Sequence, residues 1–254
     1  MSTVSIILRT EALSKSFGGF LAVDRVSLQV RRGSIHAVIG PNGAGKSTFF
    51  NMLTRFQRPS TGRILFEDQD VTHEAPHATA RRGMVRSFQL SAVFPSMTAA
   101  ENVRMALQSR QNQIFQFWRR SAALDVFRDR AHELLTEVGL QSRADSVAGT
   151  LPYGQRRALE LATTLAMEPS LLLLDEPTQG MGSEDVQRIA SLIQRVAKTR
   201  TVLMVEHNMG VVARIADRIS VLQRGALIAE GSYSEVSTRP AVMEAYLGTA
   251  RGRA

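Results

Sequence analysis

Cysteine is missing from this sequence of 254 residues. The chain can therefore form neither a disulfide framework nor a thiolate metal site, and its composition fits a reducing compartment. Long apolar runs are missing too, since none approaches the roughly 20 residues that span a bilayer. The first residues have neither the basic region nor the long apolar core of a secretory signal. These absences predict a cytoplasmic protein.

Lysine is scarce, although the chain is basic, with a formal net charge of +8. Lysine occurs only at positions 15, 46 and 198, so arginine carries almost all of the positive charge. The arginines are scattered, often in doublets, and no block of five or more like charges occurs. A dispersed basic surface is therefore favoured, and a surface that binds nucleic acid, nucleotide or membrane stays open as the alternative.

Apolar periodicity predicts an α/β fold. Alternation at Val26, Leu28 and Val30 indicates a half-buried strand, and the opening third reads as rich in strands, including a strand or hairpin at 62–71. Buried strands separated by helical patterns are indicated by continuous apolar runs at 35–39, 171–175, 201–205 and 218–222. Residues 98–165 read as mostly helical, beginning with a capping box at 98–101 and continuing through an apolar stripe over 121–138. The pattern predicts a parallel sheet with right-handed crossovers and an inserted helical segment.

A glycine-rich loop follows the first buried strand. Residues 40–47, GPNGAGKS, match the phosphate-loop pattern G-x-x-x-x-G-K-[ST] at every fixed position, and Thr48 follows. The glycines let successive N–H groups turn toward phosphate oxygens, and the helix that begins near Lys46 directs its positive end at the same anion. Lys46 has the reach to contact the β- and γ-phosphates, and the Ser47 hydroxyl suits Mg²⁺. The strand before the loop and the helix after it make a chance glycine turn the weaker explanation.

Acidic and basic side chains follow the later buried strands. Asp175 ends the run LLLLD, where a carboxylate beside a phosphate loop can hold Mg²⁺, and Glu176 is placed to polarise a water. His207 follows the next strand, at the edge where parallel sheets bind ligands. A lone histidine is more often structural, but this position favours contact with the γ-phosphate.

Together these segments resemble the nucleotide-binding cassette of ABC transporters over nearly the whole chain. The resemblance implies an α/β fold: a P-loop NTPase core with a parallel sheet, an N-terminal antiparallel β subdomain and an inserted helical subdomain. It implies a single cassette domain over 1–254, with the core and β subdomain at 1–88 and 163–254 and the helical subdomain at 89–162. The implied cofactors are ATP and Mg²⁺.

The resemblance also assigns roles to individual residues. Catalysis is assigned to Glu176, His207 and Lys46, and the Mg²⁺ site to Ser47, Gln89 and Asp175. The ATP-binding set comprises the adenine-stacking Phe17, the phosphate loop and the Q-loop glutamine: Phe17, Gly40, Pro41, Asn42, Gly43, Ala44, Gly45, Lys46, Ser47, Thr48 and Gln89. The signature that contacts ATP on a partner chain is Leu151, Pro152, Tyr153, Gly154 and Gln155, and the D-loop is 180–183. A core position for Phe17 and a surface position for Gln89 stay open as alternatives.

Within this family the sequence is most similar to the cassettes of branched-chain amino acid uptake systems. The similarity lies in LPYGQ (151–155), DEPTQGM (175–181), VEHNM (205–209) and VMEAYLG (242–248). It implies the ATP-hydrolysing subunit of an importer, peripheral on the cytoplasmic face of the plasma (inner) membrane. The implied partners are a second cassette, related or identical, in a head-to-tail dimer, two transmembrane permease subunits and, indirectly, a solute-binding protein; no nucleic acid is expected. Similar cassettes serve urea or amide uptake and lipopolysaccharide export, and a nucleic-acid-associated ATPase is a more distant alternative.

Two segments raise separate questions. Pro152 stands where most ABC signatures have a serine whose hydroxyl contacts the γ-phosphate, which puts equal activity of the two composite sites in doubt. Residues 111–120 include an aromatic insertion with Ile114, Phe115, Phe117 and Trp118. These side chains read as packing residues, and contact with a membrane subunit is the alternative.

Overall fold

The computed structural model describes residues 5–87, 93–110 and 127–251. A four-stranded antiparallel sheet has the order β2-β1-β4-β5. Its strands are β1 (Ile6–Phe17), β2 (Phe20–Arg31), β4 (Thr61–Phe66) and β5 (Gln69–Asp70). The hairpin of β4 and β5 falls where the sequence predicts a strand or hairpin, and this sheet confirms the N-terminal antiparallel β subdomain.

A six-stranded sheet forms the other layer and has the order β10-β9-β3-β8-β7-β6. Its strands are β3 (Ile35–Ile39), β6 (Met84–Ser87), β7 (Leu171–Asp175), β8 (Thr201–Val205), β9 (Arg218–Gln223) and β10 (Ala226–Gly231). All neighbours pair in parallel except β9 and β10, which are antiparallel. This arrangement confirms the predicted parallel core.

Nine α-helices lie within the described residues: α1 (Lys46–Leu53), α2 (Pro76–Arg81), α3 (Ala99–Arg110), α4 (Arg128–Glu137), α5 (Tyr153–Leu165), α6 (Ser183–Ala197), α7 (Met209–Ile215), α8 (Tyr233–Ser237) and α9 (Pro240–Arg251). Helices α3 to α5 come between β6 and β7, which are neighbours in the sheet, so the predicted helical insertion is confirmed. The predicted capping box opens α3: Thr98 N donates to Glu101 Oε2 at 2.7 Å, and Glu101 N donates to Thr98 Oγ1 at 3.2 Å.

Strand β7 is buried on both faces, which explains its unbroken apolar run. Leu172 and Leu174 belong to the core shared with the inserted helices. Leu171 and Leu173 belong to a second core, which lies against the antiparallel sheet and α1. The strand therefore packs between two cores, which fix the position of the residues that follow it.

Within the described ranges, no helix has both the length and the hydropathy to cross a membrane.

Candidate active site

The phosphate loop joins β3 to α1 and is packed closely against the strands beside it. A Cβ on Gly40 would lie 2.1 Å from the carbonyl oxygen of Leu222, and a Cβ on Gly45 would lie 2.4 Å from that of Ala22. Gly45 also has a φ of +96°, in the left-handed region that favours glycine. Side chains are therefore excluded from both glycines of the pattern, and the loop offers its main chain to an anion at the start of α1.

Lys46 is almost completely buried at the first position of α1. Its Nζ donates hydrogen bonds to the carbonyl oxygens of Gly40, at 2.7 Å, and Pro41, at 2.9 Å. Burial lowers the pKa of Lys46, and the nearby carboxylates of Glu176 and Asp175 act in the opposite direction. The ammonium group is thus held inside the loop, close to both acidic residues that the sequence singles out.

A cavity of about 320 Å³ lies over the loop. Three elements supply its lining: the phosphate loop from Asn42 to Thr48, Phe20 and Ala22 of β2, and Glu176 with His207. Glu176 follows β7 and His207 follows β8, so both lie at the carboxyl edge of the parallel strands. That edge is where open α/β sheets bind ligands.

Glu176 and His207 form a direct contact in this cavity. His207 Nε2 lies 2.7 Å from Glu176 Oε1, within hydrogen-bond distance. Glu176 has a φ of +48°, which is uncommon for a residue with a side chain, and its N–H donates to the carbonyl oxygen of Val205 at 2.9 Å. Strained backbone of this kind is concentrated at functional sites. The turn after β7 therefore directs the Glu176 carboxylate toward the histidine.

Asp175 is buried and forms an ion pair with Arg86 of β6. The Arg86 guanidinium also donates to Asn51 Oδ1 on α1, at 2.7 Å, so it connects the acid to the helix that begins in the phosphate loop. A serine hydroxyl and a carboxylate are hard oxygen donors of the kind that Mg²⁺ prefers. Ser47 and Asp175 therefore fit the predicted metal site chemically, whereas Gln89 lies outside the described residues.

Glu206 is a buried acid that lies beside the site. It is not among the residues predicted from the sequence. Its Oε1 accepts hydrogen bonds from Thr178 Oγ1 and from Asn208 N, the latter at 3.2 Å. Its Oε2 is buried and has no partner among the described residues. Burial raises the pKa of Glu206. The signal available in the sequence was an acidic residue directly after the apolar run TVLMV, before His207.

The signature segment opens α5, with Pro152 exposed at the N-cap and Leu151 buried before it. The Tyr153 hydroxyl donates to the carbonyl oxygen of Gln179 at 3.2 Å, so this segment contacts the loop that follows Glu176. A Cβ on Gly154 would lie 2.6 Å from the Asp185 carboxyl group. None of the signature residues lines the cavity over the phosphate loop of the same chain.

The two remaining predictions concern aromatic residues, at Phe17 and in the insertion at 111–120. Phe17 is the last residue of β1 and is half-exposed, with Lys15 Nζ 5.0 Å from the centre of its ring. Phe17 does not line the cavity over the phosphate loop; among the described residues, the aromatic side chain that does so is that of Phe20. No local signal in the sequence distinguishes Phe20 from Phe17, because the two residues pair with each other in the same β1–β2 hairpin. The aromatic insertion at 111–120 lies outside the described residues.

Comparison with known proteins identifies the family. Residues 23–179 match the model of the family described as ABC transporter. The chain belongs to that family. Residues 226–251 also match the C-terminal model described as branched-chain amino acid ATP-binding cassette transporter. The predicted ATP-binding cassette is thereby confirmed.

Individual relatives cover almost the whole chain. The high-affinity branched-chain amino acid transport ATP-binding protein BraF of Pseudomonas aeruginosa is 39% identical over 96% of this chain and 98% of its own length. The ADP conformation of MJ1267, an ATP-binding cassette of an ABC transporter, superimposes with a TM-score of 0.84 at 31% identity, covering 96% of this chain and 99% of that one. A dimeric structure of the cassette MJ0796 has a TM-score of 0.74 at 26% identity, covering 89% of this chain and 98% of that one.

Proposed function

We propose that this chain is the ATP-hydrolysing subunit of an importer for branched-chain amino acids or related small solutes. The observation that carries the chemistry is the contact between Glu176 and His207 at 2.7 Å, in a cavity shared with the phosphate loop. A carboxylate base, a basic side chain that orients it and a loop for the phosphates are what hydrolysis of a nucleotide requires.

Each residue has a defined task in this mechanism. The loop from Gly40 to Thr48 holds the phosphates, and Lys46 neutralises charge on the β- and γ-phosphates. Ser47 and Asp175, with Gln89, are the residues that would hold Mg²⁺, which when bound supplies further charge neutralisation. Glu176 orients the attacking water and accepts its proton, and His207 contacts the γ-phosphate and fixes the Glu176 carboxylate. Phe17 stacks on the adenine, and Phe20, which lines the cavity, is the second aromatic candidate.

A second cassette completes the site in this proposal. The signature from Leu151 to Gln155 contacts the ATP bound to the partner chain, which agrees with its position outside the cavity of its own chain. The dimeric neighbour structure supports a pair of cassettes. Residues 89–162 form the helical unit and the remainder forms the core. The pair of cassettes binds two permease subunits at the cytoplasmic face of the membrane and drives transport through them. A solute-binding protein is an indirect partner of the cassettes.

The proposed substrate class rests on the relatives. The C-terminal match at 226–251 and the similarity to BraF favour branched-chain amino acids over urea, amides or lipopolysaccharide. Uptake by proteoliposomes that contain the complex co-purified with this chain tests the assignment. Leucine uptake that requires internal ATP is the expected result, and uptake of urea without leucine would contradict it.

Nucleotide binding by the purified chain is tested with a matched pair of lysine variants. Lys46→Ala removes the buried ammonium, whereas Lys198→Ala removes an exposed one at the end of α6. A hydrogen bond to a charged group is worth about 1.5–3 kcal/mol, so Lys46→Ala should weaken ATP binding about 10- to 100-fold. Lys198→Ala should bind like the wild type. Equal affinities for all three proteins would overturn the proposed site.

A further inference from the structure

A buried hydrogen bond connects the two turns that carry Glu176 and His207. The hydroxyl of Thr178, two residues after Glu176, donates to Oε1 of Glu206, the residue directly before His207. Thr178 is 5% exposed and Glu206 is 3% exposed, whereas the side chain of His207 is 40% exposed. Because a hydrogen bond is stronger in the protein interior than in water, this bond holds the two turns together more firmly than the contact between Glu176 and His207 does.

Thr178 belongs to a tight turn that begins at Glu176. Gln179 N donates to the carbonyl oxygen of Glu176 at 3.1 Å, which closes this turn. The first residue of the turn is attached to β8, because Glu176 N donates to the carbonyl oxygen of Val205 at 2.9 Å. The third residue, Thr178, is attached to the side chain of Glu206. The turn that carries the Glu176 carboxylate is therefore held at two points by the end of β8 and the residue after it.

Glu206 also fixes the main chain around His207. The same oxygen, Oε1, accepts a hydrogen bond from Asn208 N at 3.2 Å. The Asn208 side chain in turn caps α7, because its Oδ1 accepts from Val211 N at 3.2 Å. His207 thus lies between two residues that are bonded to each other and to the start of a helix. This arrangement restricts the direction in which the imidazole can point.

Thr178 and Glu206 lie beside the nucleotide site without facing the phosphate loop. Both line a cavity of about 470 Å³ that is also lined by Glu176 and His207. Neither lines the cavity over the phosphate loop, to which Glu176 and His207 also contribute. Loss of the bond between Thr178 and Glu206 should therefore disturb the catalytic pair and leave the loop for the phosphates intact.

We propose that Thr178 and Glu206 are positioning residues for hydrolysis. Their bond keeps the turns after β7 and β8 in register, and it thereby holds the Glu176 carboxylate at hydrogen-bond distance from His207. This role rests on the proposed hydrolysis of ATP and adds to it two residues that do not contact the phosphates. A displaced Glu176 raises the barrier of the chemical step, because a general base acts only within hydrogen-bond reach of the proton that it accepts.

The test compares two replacements of Thr178. Thr178→Val removes the hydroxyl and keeps the branched shape of the side chain, whereas Thr178→Ser keeps the hydroxyl. Loss of one hydrogen bond should lower kcat for ATP in the assembled transporter about 3- to 30-fold in Thr178→Val. Thr178→Ser should restore most of this turnover. Calorimetry on the full chain should give ADP and ATP affinities within about twofold of the wild type for both variants, which also verifies that each variant is folded.

Two further variants separate the bond from general packing. Thr79→Val is the control, because Thr79 is also buried and its hydroxyl donates within α2 to the carbonyl oxygen of Ala75, at 3.4 Å; it should keep wild-type turnover. Glu206→Met removes the acceptor and should lower kcat at least as much as Thr178→Val, since the bond from Asn208 N is lost as well. The double variant should lose no more turnover than Glu206→Met alone, because both changes remove the same bond.

Several outcomes would overturn the proposal. Wild-type turnover in Thr178→Val would show that the hydroxyl does not position the catalytic pair, and an equal loss in Thr178→Val and Thr178→Ser would assign the effect to packing. Additive losses in the double variant would mean that the two residues act separately. A loss of ADP affinity as large as the loss of kcat would place the effect on the whole site. If the wild-type transporter did not hydrolyse ATP, the proposed function would fail, whereas failure of this role alone requires an active wild type.

Discussion

His207 Nε2 and Glu176 Oε1 lie 2.7 Å apart, although the two residues follow different strands. Parallel pairing of β7 with β8 brings the ends of these strands together, with Asp175 opposite Val205. The left-handed turn at Glu176 then directs its carboxylate toward the imidazole. Sheet topology and one strained residue therefore assemble the pair.

Replacement of Glu176 by glutamine should separate hydrolysis from binding. The amide keeps the size of the side chain and can still bond His207, but it cannot accept a proton from water. General bases contribute about 10²- to 10⁴-fold, so turnover of ATP in the assembled transporter should fall by at least about 100-fold. ATP affinity should change little. The control is Glu133→Gln on the exposed surface of α4, and near-wild-type turnover in Glu176→Gln would remove this residue from the role of base.

Arg86→Met should destabilise the chain much more than an exposed arginine variant. Asp175 is buried and Arg86 is largely buried, and removal of one partner from a buried pair typically costs about 3–5 kcal/mol. Arg130→Met breaks the exposed pair with Glu133 and should cost less than about 1 kcal/mol. Urea unfolding without nucleotide or Mg²⁺ measures both free energies.

A double variant separates the charge effect from packing. If the cost of Arg86→Met comes from an unpaired Asp175 carboxylate, addition of Asp175→Asn should restore part of the lost free energy of unfolding. Additive losses in the double variant would mean that Arg86 stabilises the fold through its contact with Asn51 and its packing instead.

Much of this architecture can be predicted from the sequence, because the relevant signals are local. The runs at 35–39, 171–175 and 201–205 coincide with β3, β7 and β8, since strands buried on both faces need continuous apolar residues. The phosphate loop is likewise a contiguous pattern with a fixed meaning.

The remaining features depend on contacts between distant parts of the chain. Arg86 and Asp175 pair because β6 and β7 are neighbours in the sheet, and neither residue has a local signal for that pairing. Phe17 and Phe20 stand at opposite ends of one tight turn, so only the geometry of the hairpin distinguishes them.

Glu206→Gln should remove a pH-dependent loss of stability. Burial raises the pKa of Glu206 in the folded state, so the folded chain binds a proton more tightly than the unfolded chain. As pH rises above about 4.3, the unfolded state releases this proton first and the free energy of unfolding falls, until the pH passes the folded-state pKa. The advantage of Glu206→Gln over the wild type should therefore grow with pH across that window.

Urea unfolding at a series of pH values measures this difference. The glutamine carbonyl can still accept from Thr178 and Asn208, so the change removes the ionisable group while keeping these bonds. Glu244→Gln on the exposed side of α9 is the matched control and should show no such trend. A constant difference between Glu206→Gln and the wild type across the pH range would contradict the assignment.

Pro152→Ser should tighten ATP-driven dimerisation of the cassettes or raise turnover. Pro152 has φ −53° and ψ 154° at the N-cap of α5, a conformation that serine adopts readily, and its carbonyl oxygen already accepts from Arg156 N at 2.9 Å. The new hydroxyl would add a hydrogen bond to the γ-phosphate on the partner chain, worth about 1.5–3 kcal/mol. The dissociation constant of the ATP-bound pair should therefore fall about tenfold or more, measured by sedimentation in the Glu176→Gln background, where ATP persists.

Pro152→Ala is the control for this prediction. It removes the proline ring without adding a hydroxyl, so it should not tighten dimerisation. A clear loss of both dimerisation and turnover in Pro152→Ser would mean that the proline ring sets the geometry of the signature, and that the missing hydroxyl does not limit the site.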